Sequence, residues 1–142
     1  MSISLVGVPA LLDTSTQAPE ILRQWRRIYH YGHRIMPAVA LSTCAMYSYA
    51  ALQKRNTKDK NSWVLLGLAG LTTACIIPFT LIVMAPVNGN LFRLEEASRV
   101  NLQVVGLEAA KDLLLEWSKF HIARSFIPLV GTIIGTFATF RN

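Results

Sequence analysis

No Asp, Glu, Lys or Arg occurs between Arg34 and Lys54, between Lys60 and Arg93, or between Arg124 and Arg141. These intervals hold 19, 32 and 16 residues, and a helix that crosses a bilayer needs about 20 predominantly apolar residues. The third interval is long enough only if its helix starts earlier, near Phe120, with Arg124 snorkelling or facing a polar cavity. Three complete spans are therefore expected, near 33–53, 63–86 and 118–140. Composition agrees. Hydrophobic residues make up 52% of the 142 and charged residues 15%, where a soluble domain carries about 25% charged residues. A mean hydropathy of +0.37 is hard to hide in a chain this short, because a small domain has little interior for its surface. The expected fold is all-α, a single transmembrane helical bundle over 1–142.

The N-terminus adds a partial element. Met1 to Leu12 is apolar and uncharged, too short to span, and lacks the basic leading region of a signal peptide. It reads as the second half of a helix, so the expected architecture is three full spans plus a shortened N-terminal helix, a four-helix bundle entered partway along its first helix. Residues 13–32, with Pro19 and an amphipathic turn around Ile21, Leu22, Trp25 and Ile28, are expected to lie along the interface. The 54–61 connection is short, basic and expected to be a solvated turn. The long connection 87–117 contains helix formers from Leu107 onward and no Pro before Pro128, so the last helix is expected to project beyond the bilayer.

The net charge of +6 does not mark a nucleic-acid protein. Its clusters, Arg23, Arg26 and Arg27 and then Lys54, Arg55, Lys58 and Lys60, flank apolar runs as segments touching lipid headgroups do, with no continuous basic face. The partners expected are membrane lipids and no nucleic acid. Cys44 and Cys75 stand alone in apolar runs and read as small hydrophobes.

Candidate chemistry sits at two helix ends. Pro78 removes a backbone donor, which kinks a helix and frees a carbonyl near position 74. Pro86 is expected to end the second span, leaving Asn88 at the mouth of the bundle; a capped end with an Asn88-Gly89 turn explains these residues without chemistry. On the last helix Trp117, His121 and Arg124 are spaced four and three apart, on one face. An ionisable pair at the start of a long apolar run is costly unless it faces a cavity or partner. The guanidinium one turn away favours a neutral imidazole, the form that accepts a proton. The competing explanation has His121 and Arg124 marking the headgroup level beside Trp117. His30 and His33 form an HxxH pair without further ligands nearby, and no Glu-x-x-His motif exists, so headgroup contact explains them better than metal binding. Glu108, Asp112 and Glu116 make one acidic stripe, read as a solvated face.

Several of these residues form a recognisable set. Val8-Pro9-Ala10-Leu11-Leu12, then Trp25, Tyr29 and Gly32, then Pro78-Phe79-Thr80 with Met84, Pro86 and Asn88, and finally Trp117, His121, Arg124 and Ser125 resemble the small integral-membrane anthrone oxygenase family of fungal aromatic polyketide pathways. The most specific parts are the Pro78-to-Leu91 and Trp117-to-Ser125 segments. The resemblance implies a four-helix membrane protein that converts an anthrone to an anthraquinone with molecular oxygen as co-substrate and no flavin, haem or metal. It implies catalytic roles for His121 as base and for Arg124 and Asn88 as holders of the enolate oxygen or a peroxide. Trp117, Trp25 and Tyr29 would stack on the small aromatic polyketide substrate. Set beside it is a non-catalytic membrane scaffold or a binder of a lipophilic product. Association of identical chains into a homo-oligomer and the organelle membrane are left open.

Overall fold

The computed structural model describes residues 2–55, 61–101 and 105–140. All regular structure among them is helical. Helix α1, Ile3–Thr14, is the short apolar N-terminal element. It opens with wide π-helical turns over Ile3–Gly7, where Val8 N–H donates to the Ile3 carbonyl, and continues as α-helix over Val8–Thr14.

Helix α2, Ala18–Lys54, is one continuous helix of 37 residues. Residues 18–32, expected as an interfacial segment, are thus the N-terminal turns of the same continuous helix that carries the first apolar run. Pro19 does not oppose this, because its missing N–H falls in the first turn, where no intrahelical acceptor exists, and Glu20 beside it suits the positive helix end. The inward face of these turns is Ile21, Leu22 and Trp25, all without exposure.

Helix α3, Ser62–Ile82, is interrupted at Cys75 between Ser62–Ala74 and Ile76–Ile82. The interruption falls where Pro78 withholds its donor from the carbonyl one turn back, as the sequence predicts. The end of the span differs from expectation. Helix α3 stops before Val83 and a new helix, α4, runs over Ala85–Val100 with Pro86 in its first turn. Pro86 therefore starts a helix instead of ending one, and Asn88 and Gly89 are helical, not a turn. Asn88 N–H closes the first turn by donating to the Met84 carbonyl at 3.0 Å.

Helix α5, Leu107–Phe140, begins at the expected Leu107 and carries Pro128 inside. Helices α2, α3 and α5 are long and apolar enough to cross a membrane. The solvated-turn reading of 54–61 rests on residues 56–60, and Arg141 is the basic residue closing the third interval; both lie outside the described residues.

The chain divides into two compact units: Met1–Arg34 with Thr80–Ala123, and Ile35–Phe79 with Arg124–Asn142. In the first, the core is built by Val8, Ile21, Leu22, Trp25, Leu91, Leu114 and Trp117. In the second, glycines set the packing. A Cβ at Gly131 would lie 3.0 Å from the Ala69 carbonyl, and one at Gly135 would lie 2.6 Å from the Tyr47 hydroxyl. Backbones approach this closely only where side chains are absent, the usual device for packing helices that lack a hydrophobic drive in lipid.

Candidate active site

Helix α5 buries Ala110, Leu114, Trp117, Ser118 and His121, a single stripe at helical period. His121, 8% exposed, closes this stripe. Its Nδ1 shares a 2.9 Å hydrogen bond with Ser4 Oγ from the π-helical opening of α1. One turn before His121, Ser118 Oγ donates to the Ser4 carbonyl at 3.4 Å. Ser4 is thereby held at both its hydroxyl and its backbone. A wide helical turn commonly serves to place a side chain where a regular α-turn would not.

The imidazole lies against Trp117, with ring centroids 4.8 Å apart and planes tilted by 32°. Trp117 Nε1 donates to Asn88 Oδ1 at 3.0 Å across α5 and α4. An indole nitrogen can only donate, so this bond fixes which way the Asn88 amide points: its oxygen is engaged and its NH2 is the end left to donate elsewhere. Asn88 is buried, 7% exposed, whereas the sequence places it at an open mouth with its amide uncommitted.

Beyond Trp117 the rings form a box. Trp25 meets Trp117 edge-on at 6.4 Å and Phe92 edge-on at 5.0 Å, and lies tilted by 38° against Tyr29 at 5.5 Å. Tyr29 and Phe92 also meet edge-on at 4.9 Å. These edge-to-face pairs suit the ring quadrupoles and are worth about 0.5–1.5 kcal/mol each beyond area burial. His33 continues the α2 row by stacking on Tyr29 at 5.7 Å and 6°.

A charged clamp adjoins the box. Glu95 of α4 is buried, and its carboxylate accepts from Arg26 of α2 and, at 2.6 Å, from Arg99 one turn along α4. Arg26 also lies over the Phe92 ring, 5.8 Å from its centroid. The sequence assigns Arg26 to lipid headgroups; the structure commits it to Glu95. The exposed arginines limit what the pairs contribute to stability, but the clamp ties α2 to α4 beside the rings.

Five of the six residues expected at a site, Trp25, Tyr29, Asn88, Trp117 and His121, thus form one connected cluster in the first unit. Arg124 follows one turn on along α5, half-buried, and falls in the second unit. Ser4, Phe92 and Glu95 escape the sequence reading. Ser4 reads as one small residue in an apolar run, 117 positions from its partner, and Glu95 as one charge in a mixed run. Among the described residues no group of three His, Cys, Asp or Glu converges as metal ligands would. A cleft of about 430 Å³ between α4 and α5 is lined by Asn90, Arg93, Leu94, Ala109, Asp112, Leu113 and Glu116. None of the six expected residues lines it. Glu108, Asp112 and Glu116 are exposed, as a solvated stripe should be.

Fold and site together define a small helical protein with three helices able to cross a membrane and a buried imidazole set among aromatic rings. The sequence model of the anthrone oxygenase family matches residues 25–134, a range that includes five of the cluster's residues and excludes Ser4. Anthrone oxygenase AgnL2 of Paecilomyces divaricatus is 45% identical over 137 residues, 96% of this chain and 83% of the relative. Anthrone oxygenase ptaC of Pestalotiopsis fici is 40% identical over 136 residues, 94% of this chain and 95% of the relative. Anthrone oxygenase dmxR16 of Cryptosporiopsis sp. is 38% identical over 134 residues, 94% and 73%. No solved structure matches. The chain belongs to the anthrone oxygenase family.

Proposed function

We propose that this chain oxidises an anthrone to an anthraquinone with molecular oxygen, with His121 as the base that starts the reaction and no bound cofactor. The observation that carries the reading is the placement of a buried imidazole, oriented by Ser4, against the ring of Trp117 and next to the donor amide of Asn88. An imidazole is a strong enough base for the methylene of an anthrone, whose conjugate anion is stabilised by two aryl rings and a carbonyl.

In the tautomer in which Nδ1–H donates to Ser4 Oγ, the basic lone pair stands on Nε2, and we assign the removal of the methylene proton to that nitrogen. The resulting anthranolate is electron-rich. It passes one electron to oxygen, and recombination of the radical pair forms the carbon–oxygen bond of a peroxide at the former methylene carbon. Transfer of the second hydrogen of that carbon, as a proton, to the outer peroxide oxygen then breaks the oxygen–oxygen bond. One oxygen atom stays as the new carbonyl. The other leaves as hydroxide and becomes water with the proton held by His121. Asn88 NH2 is the donor for negative charge on oxygen, and the flat faces of Trp117, Tyr29 and Trp25 are the surface on which a tricycle stacks. Both reactants are apolar, so a site carried by membrane-spanning helices would concentrate them, and exclusion of water protects the anion from reprotonation.

The test is anthraquinone formation by membranes supplied with an anthrone and oxygen. A positioned base contributes about 10² to 10⁴ in rate, so His121→Ala is expected to lower the rate about a hundredfold or more at equal protein level. Undiminished activity would remove His121 from the mechanism. Conversion by neither the wild-type chain nor the variant would instead favour a non-catalytic scaffold or product binder.

A further inference from the structure

Trp25 is the largest side chain of the core with no exposure, and its indole Nε1 is buried without a hydrogen-bond partner. The contrast lies within one cluster, since Trp117, the next tryptophan of the box, has its N–H satisfied by Asn88. An indole nitrogen is a donor and nothing else. A buried donor that gives up water and gains no acceptor is a net loss to folding, and most buried polar groups in proteins avoid it. Phenylalanine at this position would offer Tyr29, Phe92 and Trp117 a ring of similar kind without that loss. The N–H is therefore unexplained by packing, and it points to an acceptor that arrives with a ligand.

The surroundings specify the ligand. Trp25 lies against three rings, Tyr29, Phe92 and Trp117, so a ligand that reaches its N–H among them is best flat and aromatic and brings its acceptor with it. Tyr29 and Phe92 are half-buried, so the box is nearest to the surface on their side. On the far side, Trp117 separates Trp25 from His121. The substrate class proposed above carries such an acceptor, the ketone oxygen across the central ring from the acidic methylene.

We propose that the Trp25 indole N–H binds the ketone oxygen of the aromatic substrate and stabilises the negative charge that collects there once His121 has taken the proton. Trp25 is then a catalytic residue, not only a stacking surface. The proposal rests on the anthrone-oxidising reading of the preceding section. Because the oxygen is a ketone before proton loss and an enolate after it, the hydrogen bond strengthens as the reaction proceeds, so its removal acts mainly on kcat.

The test uses the full chain. Trp25→Phe is expected to lower kcat about ten- to hundredfold, toward or below the low end of what an oxyanion donor contributes, while its thermal midpoint equals or exceeds that of wild type. The second measurement follows indole protons of tryptophan-labelled wild type by NMR, the Trp25 signal being the one that Trp25→Phe removes. Anthraquinone, which carries ring oxygens, is expected to move that proton downfield; anthracene, similarly flat but without oxygen, is expected not to. Wild-type kcat in Trp25→Phe, or a Trp25 proton indifferent to anthraquinone in an enzyme that turns over, overturns the proposal and leaves the reaction standing. If wild type oxidises no anthrone, the reaction reading fails, and the response of the indole proton to anthraquinone alone decides whether Trp25 is a donor to ring oxygens.

Discussion

The first compact unit packs polar groups and rings together, whereas the second packs glycine against its neighbours. Among the described residues, seven of the nine buried polar ones, Ser4, Ser15, Asn88, Glu95, Ser98, Ser118 and His121, belong to the first unit, and Ser62 and Thr73 to the second. The surfaces differ in the opposite sense. Of the 25 exposed large hydrophobic residues among those described, 17 lie in the second unit, a surface that lipid would accommodate. In the second unit Thr73 Oγ1 returns to its own helix at the Ala69 carbonyl, 2.9 Å away, while in the first Asn88, Glu95, Ser118 and His121 bond between helices. Polar groups that bond across helices specify where side chains stand, at the risk of orphaned donors. Close glycine contacts specify only how near two helices come. The proposed chemistry accordingly draws on the first unit, and the second carries most of the exposed apolar surface.

Substitutions on either side of this division should separate activity from stability. The largest effect is the loss of activity in His121→Ala, about a hundredfold or more, with a thermal midpoint near that of wild type; the imidazole ends a stripe at 8% exposure and is not the centre of the core. Next comes Gly135→Ala, whose methyl would collide with the Tyr47 ring. Overpacking of this kind costs about 1–3 kcal/mol, so the thermal midpoint should fall while the folded fraction retains the wild-type kcat. A kcat loss without destabilisation would show that the second unit takes part in the chemistry. Smallest is Trp117→Phe, which keeps a ring beside His121 but strands the buried Asn88 oxygen. The expected cost is about 1 kcal/mol of stability, together with a fall in kcat as the Asn88 amide loses its fixed direction. Unchanged kcat in that variant would separate Asn88 from the reaction.

The long charge-free intervals made the three apolar helices legible, because a run without charge has few ways to be solvated. Prolines were legible as interruptions but not in sense. Pro78 breaks α3 as its missing donor requires, yet Pro19 and Pro86 open helices, and nothing local distinguishes a proline that ends one helix from one that begins the next. His121, Trp117 and Asn88 could be found because an imidazole on an apolar run and paired motif segments stand out in one dimension. The hydroxyl that orients the imidazole could not. Ser4 meets His121 only after the chain has folded back over 117 positions, and its π-helical setting leaves no mark in composition. Glu95 was hidden for the opposite reason, as one charge among Arg93, Glu96 and Arg99 that only packing singles out as buried.

The central claim is that the first unit removes a proton before oxygen takes part. Hydrogen exchange at the anthrone methylene, followed in deuterated buffer with oxygen excluded, tests it most directly. Wild-type membranes are expected to accelerate exchange well beyond the buffer rate, and His121→Ala membranes to lose that acceleration. Exchange that wild type does not accelerate, or that persists in full without the imidazole, would contradict the account.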